Sequence, residues 1–296
     1  MSIFLSFTKS QFITLLGLLK LIRFPNLIII VFTQLFTSIF LIHEGKVHFF
    51  NVINDIKFLF LIISTNLVAA AGYIINDYYD VKIDAFNKPK ELVVDRLIGR
   101  RIALLLHMVM NIIGLFLSAF VGLKLAIVTF SVIFFLWIYS NNLKRKVFVG
   151  NLLIALLTAL SLIIVALYYN KNTAIVMYYA FFSFLITLAR EIIKDMEDIP
   201  GDELHGCKTL PIVYGIKKTK NIIYIILFVL ILSLLIITLK INSLGLYFVV
   251  FLETVLLFYI YKELYFADKK KDFKHLGQLC KIVMVVGIIS MIFFQK

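Results

Sequence analysis

The chain has 296 residues, 62% of them hydrophobic and only 16% charged, with a mean hydropathy of +1.00. Soluble domains carry about 25% charged residues, so the composition excludes an ordinary soluble fold and points to an all-α integral membrane protein. Thirty Lys and Arg against 17 Asp and Glu leave a formal net charge of +13, an excess that suits nucleic acid or an anionic lipid surface only until its distribution is read.

Apolar runs bounded by charged or polar clusters predict nine spans, near residues 25–42, 58–79, 102–121, 125–140, 148–168, 174–193, 221–239, 244–261 and 282–295. At about 20 residues per crossing they use about 180 residues. No large soluble domain fits in the remainder, and residues 1–296 read as a single polytopic domain. Ahead of the first span, residues 11–24 have a helical pattern that stops at Pro25 and read as an interfacial helix. No small-residue cleavage site follows the first apolar run, so that span is expected to be retained.

Basic residues test this topology, because Lys and Arg accumulate on the cytoplasmic side. Placing the N-terminus inside puts 24 of the 30 Lys and Arg on one face, in the N-terminal segment and the connections after spans two, four, six and eight. The other face keeps Lys46, Lys57, Lys124, Lys171, Lys240 and Lys296. The expected topology therefore has a cytoplasmic N-terminus and an external C-terminus, and no nucleic-acid partner is needed to explain the charge. Cys207 and Cys280 fall on the inner face as free, structural thiols. His43 and His48 lie outside and His107 within a span, with no partner at metal-ligand spacing.

Acidic residues are distributed even less evenly, with 11 of the 17 in two segments at the inner ends of spans two and six. Residues 74–84 and 192–202 match at five of eleven positions, including all three aspartates of D-x-x-D-x-x-x-D: Asp77, Asp80 and Asp84, then Asp195, Asp198 and Asp202. On a helix these positions lie within about 60° of one another, so each trio shares a face. Asn76 lies beside the first trio. In the second copy, Pro200 and Gly201 are expected to end or distort the helix before Asp202. Four spans separate the copies, an even number, which makes this a parallel repeat with motifs at 76–84 and 194–202 and brings both trios to one membrane face.

Six carboxylates facing one cavity would repel one another unless cations sat between them. Mg²⁺ prefers oxygen ligands and is commonly held by carboxylates together with substrate phosphates, so two trios suggest two Mg²⁺ ions bridged by a diphosphate. Lys88, Arg96, Lys144, Arg145, Arg190 and Lys208 lie on the same face, where they would neutralise phosphate oxygens. Fourteen Tyr and 29 Phe provide aromatic faces for a carbocation if the diphosphate leaves an allylic carbon. For most single aromatics, packing or lipid contact is the simpler reading, and Lys269–Lys271 reads as a solvated run. The repeated trios differ, because ionisable groups at membrane depth are costly and usually functional.

At these two segments the chain resembles the UbiA superfamily of intramembrane prenyltransferases. Asn76, Asp77, Asp80 and Asp84 match its N-D-x-x-D-x-x-x-D signature, and Asp195, Asp198, Gly201 and Asp202 its D-x-x-D-x-x-G-D. Weaker features are Arg23-Phe24-Pro25-Asn26, Tyr139 with Leu143-Lys144-Arg145, and Gly150-Asn151. The resemblance implies nine helices around a central cavity, with the aspartates holding two Mg²⁺ and a polyprenyl diphosphate such as geranylgeranyl diphosphate. It implies a substrate-binding set of Arg23, Asn26, Lys88, Tyr139, Lys144, Arg145, Arg190 and Lys208, and a lipophilic acceptor drawn from the membrane. After the first motif, Asn87-Lys88-Pro89-Lys90-Glu91-Leu92 keeps the family's N-[KR]-P but not the turn that follows it. Residues 190–202 are most similar to the branch that prenylates geranylgeranylglyceryl phosphate, and an aromatic or quinone-precursor acceptor is the alternative. A secondary transporter is the rival of another class, although carriers gather their carboxylates near the midplane.

Overall fold

The computed structural model describes residues 9–47, 49–240 and 243–294; His48, Lys296 and the last residue of the ninth predicted span lie outside them. Among the described residues there is no β-strand. The helices are α1 (Lys9–Leu21), α2 (Phe24–Phe36, continued by a π-helical turn Thr37–Ile42), α3 (Phe49–Ile53), α4 (Ile56–Asn87), α5 (Arg100–Val121), α6 (Leu123–Asn141), α7 (Val149–Tyr169), α8 (Thr173–Leu204), α9 (Leu210–Lys240), α10 (Leu244–Phe266) and α11 (Lys270–Ser290). Nine of them, α2 with its continuation and α4 to α11, are long and apolar enough to cross a membrane.

Each predicted span is present, but four helices run on past the apolar stretch that revealed them. α4 and α8 are 32 residues each, so an apolar half and a carboxylate-bearing half form one continuous rod. α9 starts at Leu210, with one non-helical residue at Gly215, and α11 starts at Lys270 rather than near 282. Charge ends a hydropathy window without ending a helix. On α11, Phe273, Leu276, Leu279 and Cys280 form a buried stripe beneath the lysines, so the polar turns remain amphipathic and stay helical.

The expected break at Pro200 does not occur, since α8 continues through it to Leu204. Pro200 removes one intrahelical donor, and a side chain from α4 spans the weak point. Asn87 Nδ2 donates to the Asp198 carbonyl at 3.1 Å, and Asn87 Oδ1 accepts from the Gly201 backbone N–H at 3.0 Å. A Cβ at Gly201 would collide with that amide, so glycine is what allows the contact.

α8 is central, packing against α4, α7, α9 and α11. Ile186, Ile192 and Ile193 of α8 are fully buried in a core shared with Leu227 of α9, Leu257 of α10 and Val283 of α11. Exposed apolar side chains coat the outside, among them Ile112 and Phe116 on α5 and Phe248 and Phe251 on α10, as lipid contact requires. A second cluster forms where Val93, Val94 and Ile98 of the α4–α5 connection pack on Leu21 of α1, Ile74 of α4 and Ala103 of α5. Lys20 of α1 donates to the Lys90 carbonyl at 3.2 Å, and Lys270 of α11 to the Asn87 carbonyl at 2.8 Å. The connection is thereby held as a roof from two sides.

Candidate active site

The far ends of α4 and α8 open onto one polar cavity of about 530 Å³. α4 contributes Asn76, Asp77, Asp80 and Asp84, and α8 contributes Asp195, Asp198 and Asp202, so every residue expected to hold metal and diphosphate lines the same space. Arg23 and Asn26 enter from the corner between α1 and α2, Lys88 from the end of α4, and Tyr139 and Lys144 from the end of α6 and the turn after it.

Local backbone chemistry aims these side chains. Arg23 adopts a left-handed conformation, φ 51°, and its guanidinium reaches Asp77 at 3.1 Å and lies 4.9 Å from the Tyr73 ring centre. The α6–α7 turn folds tightly onto α7 because position 150 is glycine, where a Cβ would sit 2.8 Å from Lys144 Cα. Lys144 consequently points inward to an ion pair with Asp80. The next residue, Asn151, donates to Asp195 at 2.8 Å.

Four expected cations fall outside the polar cavity, and of these Arg96 is exposed and donates to the Pro89 carbonyl at 3.2 Å. Arg145 and Lys208 are exposed and meet through their backbones, Lys208 N–H to the Arg145 carbonyl at 2.9 Å. Consecutive residues of the single 3-10 turn Leu143–Arg145 diverge, so Lys144 enters while Arg145 leaves. Arg190 lines an adjoining chamber instead.

Cations cross between the two motifs. Lys88, at the end of the first, reaches Asp198 of the second at 2.7 Å. Desolvation opposes the charge on Lys88 and Lys144, but Asp198 and Asp80 more than offset it, and both ammonium groups are held above their ordinary pKa. Asn76 Oδ1, Asp80 Oδ1 and Asp198 Oδ1 are buried without a hydrogen-bond partner. Hard oxygen donors of this kind fit Mg²⁺. Among the described residues no three acidic, His or Cys side chains converge on a single metal position; one oxygen each of Asp80 and Asp198 is paired with Lys144 and Lys88. The donor set fits the ion, and two of its members, Asp80 and Asp198, are turned toward ammonium groups.

Beside the polar cavity lies a mostly apolar chamber of about 250 Å³, walled by residues such as Ile30 of α2, Val68 and Gly72 of α4, Leu136 of α6 and Leu157 of α7. Arg23, Asn26, Asn76, Tyr139, Glu191, Lys194 and Lys281 line both spaces and mark the junction. Glu191, Lys194 and Lys281 are site residues that sequence reasoning missed. Glu191 and Lys194 belong to the same acidic stretch as the second trio, and their i,i+4 spacing to Asp195 and Asp198 is the signal that would have placed them on its face. Lys281 left no local signal.

The family model for UbiA prenyltransferases matches residues 30–284. The chain belongs to the UbiA prenyltransferase family. Within the curated proteins it is 32% identical over 233 residues to a digeranylgeranylglyceryl phosphate synthase of Methanosphaera stadtmanae, covering 76% of this chain and 82% of that one. It is 35% identical over 180 residues to the synthase of that name from Sulfurisphaera tokodaii, covering 60% and 65%. Among solved structures, one described as a digeranylgeranylglyceryl phosphate synthase superposes with a TM-score of 0.71 at 26% identity, covering 94% of this chain and 97% of that one. A UbiA homologue of Archaeoglobus fulgidus bound to GPP and Mg²⁺ shares the fold, with a TM-score of 0.62 at 14% identity, covering 93% and 99%. This UbiA prenyltransferase is thus a multi-pass membrane enzyme, and its polar cavity and apolar chamber meet where the two aspartate motifs begin.

Proposed function

We propose that the chain transfers a geranylgeranyl group from geranylgeranyl diphosphate to geranylgeranylglyceryl phosphate, in a Mg²⁺-dependent reaction. The observation that carries this reading is the union of the two aspartate-bearing helix ends in one polar cavity, joined to an apolar chamber inside the bundle. The names of the relatives favour the glycerol lipid as acceptor over an aromatic one. A diphosphate head fits the polar cavity and a prenyl chain the apolar one.

Asn76, Asp80, Asp84, Asp195, Asp198 and Asp202 would hold the Mg²⁺, whose charge would stabilise the departing diphosphate. Lys88 and Lys144 stand where phosphate oxygens would replace their carboxylate partners, at the roof end of the cavity. The allylic C–O bond breaks, the acceptor hydroxyl oxygen forms the new C–O bond, and its proton is released. The Tyr139 ring at the junction and the Tyr73 ring in the adjoining chamber offer aromatic faces that favour a developing cation. The roof of residues 88–99 keeps water from competing with the acceptor.

The described helices act as one polytopic unit with a parallel repeat, and the polar cavity opens toward the cytoplasm of the cell membrane, as the one-sided Lys and Arg support. Labelling of Lys208→Cys, in a chain whose native cysteines are Ser, by an impermeant maleimide in sealed right-side-out vesicles tests the orientation; prompt labelling from outside reverses it. For the activity, purified protein is incubated with labelled geranylgeranyl diphosphate, Mg²⁺ and a panel of glycerol-lipid and aromatic acceptors. Products scored by mass should carry the label on the glycerol lipid, and label on an aromatic acceptor alone overturns the assignment.

A further inference from the structure

The two walls of the junction carry opposite charge. On the roof side Asp80, Asp84, Asp195, Asp198 and Asp202 face Lys88 and Lys144, a formal excess of negative charge that calls for metal. On the other side Arg23, Arg190, Lys194 and Lys281 cluster, and among the described residues their ion pairs are with Asp77 and Glu191 alone. Four cations against two carboxylates leave an excess of two positive charges at a partly buried position, a costly arrangement without an anion.

The contacts within this wall leave capacity to spare. Glu191 is shared by Arg190 at 2.7 Å and Lys194 at 3.0 Å. Arg190 Nε is buried with no partner. Lys281 makes no ion pair among the described residues; its ammonium donates only to the neutral Asn26 amide oxygen at 3.3 Å. All four cations line the apolar chamber, and three of them also line the polar cavity.

We infer that this basic wall, with Arg190, Lys194 and Lys281 at its centre, binds the phosphate monoester of the acceptor and so selects a phosphorylated lipid. The inference rests on the proposed function and deepens it. A phosphate monoester carries about −1.5 to −2 charge at neutral pH, which matches the excess. The donor's diphosphate goes to the carboxylate wall, where metal offsets the charge, so the two anions sit on opposite sides of the reacting carbon instead of competing. Asn26 orients Lys281 while its Nδ2 donates to Tyr73 Oη at 3.3 Å.

The test compares geranylgeranylglyceryl phosphate with its phosphate-free alcohol as acceptors for the full chain, Lys281→Met, Arg190→Gln and Lys281→Arg, with Mg²⁺ and geranylgeranyl diphosphate. Wild type should favour the phosphate acceptor by about 10²-fold in kcat/KM, and each neutral variant should lose about tenfold of that preference, mostly through acceptor KM. Lys281→Arg should restore most of it. A preference unchanged in both neutral variants overturns the inference, as does a donor KM that rises as much as the acceptor KM, which would assign the wall to the diphosphate. Failure of the proposed function looks different: neither glycerol lipid is turned over. Binding then decides. The phosphate lipid without donor should raise the wild-type melting temperature more than the alcohol does, Lys281→Met should lose that difference, and equal shifts in wild type overturn the inference.

Discussion

Asn87 and Gly201 lie 114 residues apart and are joined by a 3.0 Å bond from the Gly201 backbone N–H to the Asn87 side-chain oxygen. The same amide reaches the Asp198 carbonyl at 3.1 Å, so one side chain at the end of the first motif fastens the second across its proline. Gly201→Ala should drive the amide out, costing about 1–3 kcal/mol of stability and displacing Asp198 and Asp202. Thermal unfolding in detergent and turnover should both fall. Wild-type values for both would show that the contact is incidental.

Asp80→Asn and Asp198→Asn each remove the charge of a carboxylate with a buried, unpartnered oxygen. We expect each to lower Mg²⁺-dependent prenyl transfer by at least about 10²-fold, the scale of charge stabilisation by a bound cation. The purified proteins should retain a single sharp melting transition. Near-normal turnover in both would sink the metal assignment.

Lys144 should have two separable effects, because it pairs with Asp80 and also faces the space where a diphosphate fits. Lys144→Met frees Asp80, so the Mg²⁺ concentration giving half-maximal activity should fall. The loss of one charge-assisted contact should raise donor KM by about tenfold. Titrating Mg²⁺ and donor independently separates the two, and movement of both in the same direction would contradict the pairing.

Chain-length preference should follow the apolar chamber. Ala69 lines it, and Ala69→Phe would fill space that a long prenyl tail needs. The kcat/KM for geranylgeranyl diphosphate should drop by about 10–100-fold relative to geranyl diphosphate. Equal losses for both donors would place the tail elsewhere.

Burial, with the Asp202 carboxylate adding to it, raises the Cys207 thiol above its ordinary pKa. A smaller thiolate fraction at neutral pH means slow alkylation. With Cys280→Ser present, iodoacetamide labelling of the native protein should keep increasing with pH beyond about 9, where an ordinary thiol levels off, and should become fast on denaturation. A plateau at the ordinary position would show a freely hydrated thiol.

The nine spans and both carboxylate faces could be read from the amino-acid order because each is a local periodic signal, an apolar run or an aspartate every three or four residues. The same locality explains the omissions. Lys281 stands in a polar turn resembling its neighbours Lys271 and Lys274, and only the packing of α11 against α2 and α8 brings it to the junction. Arg145 and Lys144 are adjacent in sequence, yet the glycine at 150 decides which one enters. Pro200 looked like a helix stop because its rescue comes from Asn87, on a helix four spans earlier.

The roof over the polar cavity is held by α1 on one side and α11 on the other, through Lys20 to Lys90 and Lys270 to Asn87. Such a double hinge-pin sets a partition ratio as well as a rate. Loosening either pin would admit water to the allylic cation, and the enzyme would leak free prenol while still consuming its donor. Product identity, more than turnover number, would then report how tightly α1 and α11 are seated.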